Sequence, residues 1–91
     1  MLLEKAKISN LIKKSAEDLN LSKKVVESAL EKMKKLPRNI PFNHISVAGA
    51  LIYICSITNK EARTQREIAK VLKTTEVSIG KCANWILKVV E

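Results

Sequence analysis

The stretch from Ser46 to Cys55, Ser-Val-Ala-Gly-Ala-Leu-Ile-Tyr-Ile-Cys, carries no charge, in a chain where 29% of residues are charged. A helix that is apolar on every side has no face to offer water, so it belongs in the middle of a bundle. Ala48, Gly49 and Ala50 are small enough to let neighbouring helices come close. The run falls short of the ~20 apolar residues needed to cross a bilayer. A helix over 46–57 is therefore expected at the centre of the fold, with four other helices around it.

Those four can be read from periodicity and caps. Ile8, Leu11, Ile12, Ser15, Ala16 and Leu19 repeat at i, i+3, i+4, the signature of one buried helical face from Lys5 to about Leu19, with Asn20 as a stop. Ser22 is expected to cap a second helix, whose apolar stripe reads Val26, Ala29, Leu30 and Met33. Pro37-Arg38-Asn39-Ile40-Pro41 breaks it, since proline lacks an N–H and biases its predecessor away from helix. Beyond the polar connector Thr58-Asn59-Lys60-Glu61-Ala62, Thr64-Gln65-Arg66-Glu67 fits a capping box. The fourth helix then buries Ile68, Ala69, Val71 and Leu72. Lys73-Thr74-Thr75 is a short turn, and Thr74 or Thr75 caps a last helix from Glu76 to Val90.

A chain of 91 residues fits one domain, read as 1–91. With only Phe42, Tyr53 and Trp85 as aromatics, the core is aliphatic, and the stacking platforms that single-stranded nucleic acids require are missing. The net charge of +8 points to a polyanionic partner. Cys55 and Cys82 lie in apolar helical stretches, outside any CxxC or Cys/His cluster, so both are expected to be buried free thiols in a reducing compartment, with no zinc site. No signal peptide is expected, because Met1-Leu2-Leu3 is followed at once by Glu4 and Lys5.

Two short helices joined by three residues at the end of a basic bundle read as a helix-turn-helix over 64–90. On the last helix Ile79, Cys82, Ala83, Ile86 and Val90 share one side. Val77, Gly80, Lys81, Asn84 and Lys88 share another, polar or small and starting at the end that meets bases in such motifs. The base-facing set is expected to be Val77, Ser78, Lys81 and Asn84. The phosphate set is expected to be Arg63, Thr64, Gln65, Arg66, Lys73 and Lys81, helped by the free N–H groups at the start of the fourth helix.

The segments Ser46–Ser56, Ala62-Arg63-Thr64-Gln65-Arg66-Glu67-Ile68-Ala69 and Thr75-Glu76-Val77-Ser78-Ile79 resemble the second cyclin-like repeat of archaeal transcription factor B, the counterpart of eukaryotic transcription factor IIB. The likeness extends more weakly back through Ile8 to Leu21. It implies an all-α, five-helix cyclin-like domain. It also implies a role in transcription initiation, with contacts to double-stranded promoter DNA beside the TATA box, to TATA-binding protein and to RNA polymerase. The setting implied is cytoplasmic and nucleoid-associated in an archaeal cell, or nuclear in a eukaryotic one.

In that family the final helix reads a recognition element upstream of TATA, and Val77 matches a position that touches bases. Gly80 falls where the family usually carries a base-reading arginine, Lys73 where it has a turn glycine, and Ala83 where it has a tyrosine. An arginine paired with guanine is worth about 1–3 kcal/mol of discrimination, which glycine cannot supply. A shallow sequence preference is therefore expected. Lys73 is expected to need a left-handed backbone that glycine adopts more easily. The zinc ribbon, linker and first repeat of a complete factor are not in this sequence, which fits both a fragment and a stand-alone relative.

The alternative function is a cyclin-like protein-interaction adaptor, favoured by Gly80 and by the lysine-rich second helix. An enzyme is not expected: His44 has no evident acid or nucleophile partner, and no glycine-rich phosphate loop is present. His44 is read as a loop or helix-start residue. No cofactor and no membrane association are expected, the basic second helix having no aromatic anchor.

Overall fold

In a computed structural model, residues 4–90 are described. They form five helices in order: α1 (Lys5–Asp18), α2 (Lys23–Lys34), α3 (His44–Thr58), α4 (Gln65–Leu72) and α5 (Glu76–Val90). The reading of Met1-Leu2-Leu3 lies outside these residues.

The uncharged helix is the hub. α3 packs against α1, α2, α4 and α5, and every residue from Ser46 to Ile52 is buried. It begins two residues earlier than the sequence suggests, because Asn43 caps it: the Ser46 N–H donates to Asn43 Oδ1 at 2.8 Å. Around it, α1 contributes Ile8, Ile12 and Ala16, α4 contributes Ile68 and Leu72, and α5 contributes Ile79, Cys82, Ala83 and Ile86, all buried. The connector from α2 to α3 also takes part, since Leu36 and Ile40 are buried on either side of Pro37. Phe42 meets Trp85 of α5 edge-on at 5.9 Å between ring centroids, a favourable aromatic geometry. The aliphatic core expected from the composition is thus closed by an aromatic pair at one end.

Two local expectations are corrected. On α2 the deepest row is Val25, Ala29 and Met33, while Val26 and Leu30 are only half-buried. Val25 and Val26 both fit a helical stripe, and the docking angle on α3 selects the first. Ser22 stands at the N-cap of α2, but its side chain accepts nothing from that helix. Its hydroxyl donates instead to Glu61 Oε2, and its N–H donates to Glu61 Oε1 at 2.9 Å. A carboxylate from the α3–α4 connector, 39 residues away, satisfies the helix start instead.

Helices α1, α3 and α4 finish in the same way. Asn20, Lys60 and Lys73 each adopt a left-handed backbone, with φ of 56°, 61° and 57°. In each case the next N–H reaches back five residues: Leu21 to the Ala16 carbonyl, Glu61 to Ser56 and Thr74 to Ala69. This closure satisfies carbonyls at the helix end and reverses the chain sharply. At Lys73 it is the conformation expected from the sequence.

Candidate nucleic-acid interface

The local chemistry of α4 and α5 sets the geometry of the candidate interface. The capping box at Thr64 is complete. The Glu67 N–H donates to Thr64 Oγ1 at 3.1 Å, and the Thr64 N–H donates to Glu67 Oε1 at 3.0 Å. The Thr64 N–H, and after it the Thr64 hydroxyl, hold the Glu67 carboxyl below its ordinary value. The N–H groups of Gln65 and Arg66, the next two in the chain, have no partner among the described residues. Three residues link α4 to α5, and the left-handed Lys73 makes the turn. Thr75 starts α5: its hydroxyl oxygen accepts from the Ser78 N–H at 3.1 Å, and its proton goes to Ser78 Oγ at 2.8 Å.

The two faces of α5 separate as the sequence suggests. Ile79, Cys82, Ala83 and Ile86 are buried, whereas Lys81 and Asn84 are exposed. Val77 is 64% exposed, the most open of the large apolar side chains among the described residues. Ser78 is half-buried, its hydroxyl engaged with Thr75. The four residues proposed to face bases therefore do not behave alike: Val77, Lys81 and Asn84 project outward, and Ser78 serves the helix cap.

The phosphate set divides more sharply. Arg66 is 85% exposed in its side chain, with Glu76 Oε1 3.9 Å from its Nε. Lys73 and Lys81 are exposed. Arg63 is turned inward. Its Nε donates to the Leu19 carbonyl at 3.1 Å, Nη1 to the Glu61 and Ala62 carbonyls at 2.9 and 3.2 Å, and Nη2 to the Asn20 carbonyl at 3.4 Å. Its own N–H donates to the buried Ser56 hydroxyl. Arg63 thus staples the end of α1 to the α3–α4 connector. A guanidinium committed to four carbonyls is an internal clamp, unlike the outward-facing cations of the expected phosphate set. Nothing in the sequence separated Arg63 from Arg66, because the carbonyls it serves lie up to 44 residues away.

Gln65 is half-buried at the first turn of α4. A Cβ built on Gly80 would lie 3.0 Å from Gln65 Oε1 and 3.5 Å from both Cδ and Nε2. The carboxamide therefore lies across α5 at its bare position. Sequence reasoning also missed Lys14 of α1, which shares with Lys73 the rim of a cleft of about 200 Å³ floored by Leu11 and Leu72. Its only signal in sequence was a place on the polar side of its helix.

Cys55 and Cys82 are free and buried. Burial pushes the Cys55 thiol up to about 11, against a small lowering by Lys32, and the Cys82 thiol up to about 12. His44 opens α3 as a helix-start residue, and its Nε2 accepts from the Glu4 N–H at 3.1 Å. Among the described residues no cluster of three or more His, Cys, Asp or Glu is placed to hold a metal, and no helix is long and apolar enough to cross a membrane.

A five-helix all-α domain with an apolar central helix and a final helix pair joined by three residues defines a cyclin-like module. The family follows from comparison with known proteins: residues 3–89 match the model for the transcription factor TFIIB repeat, and the chain belongs to that family. It is 38% identical over 76 residues to transcription initiation factor IIB of Pyrococcus horikoshii, covering 80% of this chain and 25% of the relative. It is 37% identical over 76 residues to transcription initiation factor IIB 1 of Thermococcus kodakarensis, covering 80% and 25%. It is 38% identical over 74 residues to transcription initiation factor IIB of Methanopyrus kandleri, covering 78% and 24%. The chain spans about a quarter of the length of these curated relatives. They are transcription initiation factors rather than enzymes, and the chain is a transcription-factor domain of their type.

Proposed function

We propose that this domain binds double-stranded promoter DNA through a helix-turn-helix formed by α4 and α5, in a transcription-initiation assembly with TATA-binding protein and RNA polymerase. One observation carries the reading. The outer face of α5 presents an exposed apolar residue, Val77, in line with exposed Lys81 and Asn84, while the opposite face is locked in the core. A surface valine costs solubility and contributes nothing to the core, yet it suits a thymine methyl in the major groove, with the polar residues reaching base edges or phosphates. Arg66, Lys73 and Lys81 supply phosphate charge. The Gln65 and Arg66 N–H groups supply neutral donors at the positive end of α4.

Binding to a duplex measured across a salt series tests this. Three lysine or arginine contacts to phosphates predict a slope of log K against log salt of about −3. A slope near zero, or no binding at low salt, overturns the proposal. The protein-interaction adaptor is the second reading, favoured by the loss of a side chain at Gly80 and by a cleft of about 430 Å³ between α2 and α3, rimmed by Lys24, Lys32 and Lys35 together with Glu27 and Glu31. Salt-insensitive binding to TATA-binding protein without DNA would support it.

A further inference from the structure

The Gln65 carboxamide occupies an unusual position. Gly80 sits on the outer stripe of α5, three residues after Val77 and four before Asn84, so it shares their face. Where a side chain would normally rise from that face, the flat end of Gln65 lies instead, with Oε1, Cδ and Nε2 all within 3.5 Å of the missing Cβ. The Gln65 side chain makes no hydrogen bond among the described residues, and no buried polar side-chain atom there lacks a partner. Both ends of the amide therefore reach solvent. An amide held against a groove-facing helix, with its donor and its acceptor free, has the equipment to read an adenine, which offers an acceptor at N7 and a donor at N6.

We propose that Gln65, lodged over Gly80 on the outer face of α5, is the specificity-determining residue of the interface and selects adenine at one position of the bound duplex. The inference rests on the reading of α5 as the groove helix. Gly80 is part of the device: any larger residue would crowd Oε1 and push the amide off the stripe. The bare position thus exchanges one base-reading side chain for another carried by the preceding helix. Gln65 is also removable without unfolding the site, because the capping box is made by Thr64 and Glu67.

The test is selection from a duplex library randomised over the bound window, at one fixed salt concentration, followed by affinities on the selected duplex and its single-base variants. Wild type should enrich adenine at one position, by on the order of ten- to hundred-fold over the worst base. Gln65→Ala should erase that preference and leave the other positions unchanged. Gln65→Glu should move it towards cytosine, whose N4 amine donates to a carboxylate. Gly80→Ala should weaken it, with the fold intact by circular dichroism. A uniform loss of affinity in Gln65→Ala would make Gln65 a phosphate contact and overturn the proposal, as would an unchanged preference. If Arg66→Ala and Lys81→Ala also leave affinity and its salt slope unaltered, the groove reading itself fails. Should Arg66→Ala and Lys81→Ala weaken binding while Gln65→Ala changes nothing, only the assignment of Gln65 falls.

Discussion

The chain has two glycines, and the same substitution at each should move stability in opposite directions. Gly49 lies in the middle of α3, where a Cβ would come within 3.0 and 3.1 Å of Ile79 Cγ1 and Cδ1 and 3.1 Å of Leu72 Cδ1. Ile79 is fully buried and Leu72 nearly so, and carbon atoms pack favourably at about 3.5–4.0 Å. Two core side chains on two different helices would therefore have to retreat by roughly half an ångström. Overpacking of this kind costs about 1–3 kcal/mol, offset by the 0.5–1 kcal/mol or so that alanine gains over glycine within a helix. The net expectation for Gly49→Ala is a loss of between zero and about 2.5 kcal/mol. At Gly80 the crowding atom is the end of a flexible, solvent-reaching glutamine, which can swing away. There the helix gain survives, and Gly80→Ala should stabilise by about 0.5 kcal/mol. Urea unfolding followed by circular dichroism, with m compared between variants, measures both. A change of 1 kcal/mol in a domain of this size moves Tm by about 4–8 °C. In an Ile79→Val background, which removes Cδ1, the Gly49→Ala penalty should shrink, and a double-mutant cycle reads the coupling directly. Stabilisation by Gly49→Ala matching that of Gly80→Ala would refute the close-approach argument.

Arg63→Ala should cost about 1–3 kcal/mol, because four carbonyls lose a charged donor, whereas Arg66→Ala should leave Tm unchanged and flatten the salt slope by about 1; thermal melts and binding titrations on both variants separate the clamp from the phosphate contact. Lys73→Gly should stabilise by up to about 1 kcal/mol by relieving a left-handed lysine, while also flattening the salt slope by about 1, so melting and binding should move in opposite senses. Cys55 and Cys82 should react with a thiol reagent at neutral pH only as fast as the domain opens. Their folded values of about 11 and 12 lie above the ordinary 9.0, so the stability they confer is complete below pH 9 and lost as pH climbs towards 11–12; an alkaline urea series checks this. Glu61 is held below its ordinary 4.5, chiefly by the Ser22 hydroxyl and N–H, so its contribution is present above pH 4.5 and fades as pH falls through its lowered value. An acid titration of Glu61→Gln against wild type, read by circular dichroism, should show the variant losing less stability on acidification.

What the sequence determined by itself was most of what neighbours within one helical turn govern, the Asn43 cap of α3 being the exception. The absence of charge from Ser46 to Cys55 required a central helix. Thr64 and Glu67 sit three residues apart, so their reciprocal cap was legible, as were the buried and outward faces of α5 and the strained turn at Lys73. What only the tertiary structure decided was which distant group each polar side chain meets. Arg63 and Arg66 are three residues apart with the same chemistry, yet packing of α1 against α4 presents carbonyls to one and leaves the other in solvent. Ser22 has the right identity for a helix cap, but the connector after α3 delivers Glu61 to it. Val25 displaces Val26 in the deepest row because the crossing of α2 over α3 sets which side of the helix faces inward. Gly80 reads in sequence as a missing side chain, and only the approach of α4 to α5 puts the Gln65 amide in its place. Helical periodicity and capping are local energies carried by adjacent residues. The pairing of groups some forty residues apart follows from how the helices pack, which no short window of sequence contains.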